Sequence, residues 1–158
     1  MKQCRGFSLI ELLIVVAIIL VIVAIAIPNL MKSRMAANQS SAVASVRTVG
    51  SAEVVYWATY NTGYSPDLVS LRPPASGIQT ASAAGLIDSV LAAGSKSGYS
   101  FLYSSLADSS GKYTTYAINA APSAVGNSGV NYYFADQTGV IRVNESGSAS
   151  VTDSPLGN

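Results

Sequence analysis

The 158-residue sequence predicts an α+β fold. A long N-terminal α-helix, membrane-spanning in its first half and amphipathic in its second, packs on an antiparallel β-sheet of about four strands. Three observations predict it. An almost unbroken apolar run covers Phe7 to Ile27. After Pro28, apolar residues recur at helical steps of three and four. Further on, segments rich in aromatic and β-branched residues alternate with turn sequences, the mark of hairpins. The implied order is a basic head (residues 1–6), an apolar helix (7–28), an amphipathic helix (29–62), a long connection (63–98), a sheet (99–144) and a flexible tail (145–158).

The first element is fixed by length and charge. No residue from Leu12 to Ile27 is polar. Extended back to Phe7, the run is close to the ~20 residues that cross a bilayer core. Lys2 and Arg5 stand at its start, so the positive-inside rule places that end in the cytoplasm and sends the rest outward. Glu11 interrupts the run. A charge at the centre of a membrane helix costs ~3 kcal/mol on insertion scales, so a lone acid there needs a partner. Three readings compete. A secretory signal peptide finds a small-x-small cut site in Ala24-Ile25-Ala26, but the run is long and starts directly after Gly6. A plain signal anchor has no use for Glu11. The third reading is a processed subunit.

That third reading rests on one string. Gly6-Phe7-Ser8-Leu9-Ile10-Glu11-Leu12-Leu13 resembles the processing motif of type IV pilins and the related pseudopilins. The resemblance covers about the first thirty residues and includes Pro28, where many of these proteins have a helix-bending proline. It implies a short leader, cleavage after Gly6 by a membrane aspartic peptidase, and N-methylation of the new amino terminus on Phe7. Gly6 is then a recognition residue; lacking a side chain, it lets the backbone enter a protease cleft in extended form. The Phe7 ammonium is the natural complement of Glu11, on the adjacent subunit of a fibre. Glu11 lies ~6 Å along the helix from Phe7. Because a buried ion pair often adds little net stability, the pair chiefly sets axial register. Pro28 lacks an N–H and crowds the Ala24 carbonyl, which predicts a bend or a short melted stretch.

Beyond Pro28, Val43, Val46, Gly50, Val54 and Trp57 form the expected core face, with Arg47 and Glu53 off its centre line and Trp57 as a core anchor. The helix is expected to end near Asn61-Thr62-Gly63. At ~80 Å it is too long for one small domain to bury, so its N-terminal half must meet lipid or other copies. The connection holds Pro66, Pro73, Pro74 and a short helix around Ser82 to Ala93; by the resemblance it is a subunit contact or outer face. Strands are expected at residues 99–103, 113–118, 131–134 and 140–143, with hairpin turns at Asp108-Ser-Ser-Gly111 and Asp136-Gln-Thr-Gly139. The Ser- and Gly-rich tail is expected to be poorly ordered.

Composition narrows the function. Lys and Arg number 9 against 8 Asp and Glu, and loss of the first six residues removes Lys2 and Arg5; neither balance suggests nucleic acid. Histidine is absent, so no Ser–His or Cys–His pair and no His-ligated metal exists. The one cysteine, Cys4, lies in the leader. Asp136 with Asn131 and Asn144 offers oxygen ligands for Ca²⁺, which related pseudopilins use, but the spacing is no recognised loop and a turn role suits Asp136 better. The nine tyrosines suit strand packing. No catalytic constellation, cofactor or metal is expected, and the chain is not expected to be an enzyme.

The expected function is a type IV pilin: a prepilin processed in the inner membrane, N-terminus cytoplasmic, then polymerised into an extracellular helical fibre. By the resemblance its partners are other copies, the prepilin peptidase and N-methyltransferase, an inner-membrane platform protein and an assembly ATPase. The lack of a C-terminal disulfide loop departs from many such pilins. A pseudopilin of a type II secretion system, forming a short periplasmic piston, is the nearest alternative. A membrane-tethered enzyme or binding module is a remote one.

Overall fold

The computed structural model describes residues 7–157. Helix α1 covers Leu9–Tyr60. It is followed by a 3-10 turn at Val69–Leu71, helix α2 at Ser89–Ala92, and strands β1 (Ser95–Lys96), β2 (Tyr99–Ala107), β3 (Tyr113–Pro122), β4 (Tyr132–Asp136) and β5 (Arg142–Asn144). The chain divides into two compact units, residues up to Arg34 and from Met35 onward.

The first unit is helical from Leu9, and every described side chain in it is exposed. Helical structure runs through Pro28 without interruption, so the melted stretch allowed for there does not form. Proline removes only one rung of the ladder, and Ala24, Leu30, Met31 and Lys32 around it are good helix formers.

The second unit is an antiparallel meander, β1-β2-β3-β4-β5, covered on one face by the later part of α1. Five strands form where about four were expected. The extra one, β1, is two residues long and turns into β2 through Ser97 and Gly98, both at positive φ, as a two-residue hairpin loop requires. The turns at 108–111 and 136–139 lie where expected; Asp108 and Asp136 each bind the backbone N–H two residues on. The register alternates the sheet faces. Phe101, Ala120 and Tyr133 pair across the inner face, as do Tyr103, Ile118 and Ala135.

The helix face that meets this sheet is rotated from the predicted one. Ala42, Ser45, Val46, Val49, Ala52, Glu53 and Tyr56 are buried, whereas Val54 is 66% exposed and Trp57 only half-buried. Small side chains at 42, 45 and 52 are part of the buried face, and Tyr56 takes the anchoring place assigned to Trp57. Trp57 instead packs edge-on against Tyr64, with the Lys112 ammonium 4.7 Å from its ring centre.

Loop 61–64 runs alongside the start of β3, with Tyr64 N–H donating to the Tyr113 carbonyl and Tyr113 N–H to the Thr62 carbonyl. Gly63 sits there at φ 91°, and a Cβ would collide with the Tyr113 carbonyl oxygen. The short helix expected around Ser82 to Ala93 is confined to Ser89–Ala92, capped by Asp88. Leu86 and Ile87 still pack on the core from the preceding loop. The tail also departs from expectation. It folds back on β5 through Val143 N–H to Ser154 and Leu156 N–H to Ile141, with Ala149 buried and Leu156 against the core. Asp153 holds that return by accepting from Ser150 and Asn144, which a Ser- and Gly-rich composition does not reveal.

Candidate functional site

In the N-terminal unit, Phe7 precedes the helix and is 76% exposed. Gly6 and the rest of the leader lie outside the described residues. Ser8 is where the chain enters the helix. The Glu11 carboxylate accepts the Ser8 backbone N–H at 2.9 Å, and the Ser8 hydroxyl accepts the Ile10 N–H at 3.4 Å. This is the reciprocal arrangement of a capping box, in which an acid three residues inside the helix satisfies a donor at its start. Glu11 is therefore not an isolated charge within the chain: it bonds Ser8, the residue that follows Phe7, and carries negative charge at the positive end of the helix dipole.

From Leu9 to Met31 the helix presents apolar side chains on all sides, with no buried position in the span. The segment is long and apolar enough to cross a membrane. Fully burying one Leu, Ile or Val side chain is worth ~1.5–3 kcal/mol, so the stretch has a strong thermodynamic demand for lipid or for other helices. Pro28 lies near the end of this run, followed by Lys32 and Arg34, both exposed.

In the second unit, the most deeply buried described acid is Glu53, which the sequence pattern had placed off the core line. It is fully buried at 0% exposure. One carboxyl oxygen accepts the Ser65 backbone N–H at 2.8 Å, and the other lies 2.5 Å from the Ser65 hydroxyl oxygen. Ser65 in turn contacts the Tyr103 hydroxyl and the Asp67 carbonyl. Burial pushes the Glu53 carboxyl above its ordinary value, against hydrogen bonds from Ser65 that pull it down. Burial likewise raises Tyr103 and pushes Tyr116 up to about 12. The helix pattern alone carried no signal for this network, because its partner is a loop serine.

Other residues considered from sequence have structural roles. Asp136 Oδ1 accepts from Thr138 N–H at 2.9 Å, an Asx turn. Asn144 pairs with Tyr132 at the opposite end of β4 from Asp136 and gives its amide to Asp153. Four residue steps along β4 separate the two positions, ~13 Å, so they do not converge on one ion. Asp67 holds Ser70, and Asp88 caps α2 while pairing with Lys96 at 2.8 Å. Among the described residues, no group of three or more metal-ligating acids or cysteines occurs. Shallow grooves flank α1, one lined by Gly50, Val54, Tyr64 and Tyr116, another by Ala36, Val43, Tyr133 and Leu156.

The family-model match falls on the first unit. Residues 1–27 match the family model described as the prokaryotic N-terminal methylation motif. The type IV wide pilus major component PilA4 of Thermus thermophilus is 52% identical over 40 residues, which are 25% of this chain and 30% of that protein. The match thus spans under a third of that relative's length. No solved structure matches the chain. The exposed apolar helix and the acid at its head thus lie within the segment, residues 1–27, that matches the prokaryotic N-terminal methylation motif.

Proposed function

We propose that the chain is a structural subunit of a type IV pilus. It is made as a prepilin, cleaved between Gly6 and Phe7, N-methylated on Phe7, and polymerised through its N-terminal helix. One observation carries the reading: within the matched segment, a membrane-length apolar helix opens on an exposed Phe7 and an acid, Glu11, placed beside it. In lipid the acid rests on its own capping box. In a fibre, a Phe7 ammonium from a neighbouring copy displaces that local bond and sets the stagger between helices. Methylation keeps the amine charged, so the pairing survives maturation. A bend at Pro28 lets adjacent helices pack without lengthening the span. Close packing of small and β-branched residues, rather than hydrophobicity, selects helix neighbours, because lipid already satisfies an apolar surface.

On this reading the chain stands in the inner membrane before assembly, its basic end cytoplasmic. The partners are further copies of itself, the processing peptidase and methyltransferase, a membrane platform protein and an assembly ATPase. It performs no chemistry of its own. The name of the relative, a wide pilus major component, favours an extracellular fibre over a secretion piston. Filaments sheared from the cell surface and resolved by cryo-electron microscopy test this choice. Density fitting the residue 35–157 head with helices in the core supports the pilus. Surface filaments lacking the chain, together with loss of protein secretion on its deletion, assign it instead as a pseudopilin of a type II secretion system.

A further inference from the structure

The oxygen pairs beside Glu53 outnumber the two hydroxyl protons that Ser65 and Tyr103 bring to them. Four close oxygen pairs meet at Ser65. Its hydroxyl lies 2.5 Å from Glu53 Oε1, 3.0 Å from the Asp67 carbonyl and 3.1 Å from the Tyr103 hydroxyl, and the Tyr103 hydroxyl lies 3.0 Å from the Ser65 carbonyl. The two carbonyls only accept. With Tyr103 donating to the Ser65 carbonyl, the single Ser65 hydroxyl proton serves either the Asp67 carbonyl or Glu53 Oε1, not both. A protonated Glu53 fills both contacts, donating to Ser65 Oγ while Ser65 donates to the Asp67 carbonyl. The second carboxyl oxygen still accepts the Ser65 N–H.

The surroundings agree. Glu53 is fully buried. Facing it are Ser65 from the connection, Tyr103 from β2, and Tyr56 on its own helix, with Tyr116 of β3 beyond Tyr103. The Asp67 carboxylate is turned to Ser70. Among the described residues, no lysine or arginine lies within ion-pair distance of Glu53.

We propose that Glu53 is carried as a neutral carboxylic acid and is a pH-sensitive clasp, holding residues 61–71 against the long helix and β2 when protonated and loosening them when ionised. Ionisation takes away the proton between Glu53 and Ser65. The Ser65 hydroxyl must then turn to the carboxylate, the Asp67 carbonyl loses its donor, and a bare charge is left in the core. Desolvation raises the Glu53 pKa in the folded state. The stabilisation is therefore complete below the ordinary glutamate value and is lost as pH rises through the raised folded value. An acid-tolerant head is the consequence.

The test uses the full-length protein in detergent micelles. Glu53→Gln mimics the neutral acid, since its amide can donate to Ser65 Oγ while its oxygen accepts the Ser65 N–H. Unfolding constants and amide exchange at Ser65 to Leu71 are compared for wild type and E53Q across pH. As pH rises above the ordinary glutamate range, the wild-type unfolding constant should grow relative to E53Q, by no more than about tenfold per pH unit, the limit for one proton, with exchange at 65–71 accelerating in step. Parallel curves at every pH overturn the proposal. Independently, the Glu53 carboxyl carbon is titrated by NMR in wild type. Titration at or below the ordinary glutamate value also overturns it, and this measurement decides alone if E53Q fails to fold.

Discussion

Glu11 and Glu53 stand on the same helix and have opposite settings. Glu11 is exposed, and its partner is three residues away in the same turn. Glu53 is buried, and its partner comes from the connection beyond the end of the helix. The helical residues around Glu11 expose every apolar side chain, whereas those around Glu53 bury a stripe that includes Val49, Ala52 and Tyr56. The difference teaches what each stretch is for. Where local bonds satisfy an acid and the apolar surface is unpartnered, the helix is built to meet something outside the chain. Where a distant loop satisfies the acid, the helix is part of a closed core.

Substitutions can break that contrast. The largest effect falls on Glu11→Val. Membrane insertion should be intact, since an acid is exchanged for an apolar residue, but polymerisation should fail. Fibre yield from sheared cells measures it, and a normal yield contradicts the register role of the acid. Next is Ile118→Ala, which empties a fully buried site on the inner face of β3. It should cost the head about 3 kcal/mol in denaturant unfolding, while Leu13→Ala, in the exposed run, should leave head unfolding unchanged. Gly63→Ala comes third, at about 2 kcal/mol, from its positive φ and the Tyr113 carbonyl. The smallest effect separates the two candidate helix faces. Val54→Ser should stay within about 0.5 kcal/mol, and a loss comparable to that of Ile118→Ala would restore the predicted face.

Much of the molecule was legible because its signals are local. The apolar run, its basic flank and Glu11 lie within thirty residues. The hairpins announce themselves through Asp-x-x-Gly turns, since aspartate and glycine meet specific backbone needs there. The Ser-x-x-Glu spacing of Ser8 and Glu11 is itself the signature of a capping box, and the cost of a charge in lipid draws attention away from it. What was not legible depends on distant partners. The rotated helix face buries Ala42, Ser45 and Ala52, and hydrophobicity counts reward Val54 over these small residues. Burial of Glu53 depends on Ser65, and β1 exists only because Ser97 and Gly98 turn it onto Tyr99 and Ser100. The docked tail depends on Asp153 meeting Asn144, a pairing with no sequence periodicity.

The exposed regions of the sheet follow the same logic. Leu102 and Leu106, each 72% exposed on β2, point away from the core, while Tyr103 between them reaches Ser65. Alternation predicts which side each residue takes, but only the Glu53 network shows why the inner side carries hydroxyls.

Mass spectrometry of the amino terminus in purified native protein tests the maturation of this helix most directly. A terminus at Phe7 carrying one methyl group is predicted, together with loss of that species in Gly6→Val. Retention of Met1, or a terminus beyond Ala26, would contradict it, because no ammonium would then stand beside Glu11 to order the helices.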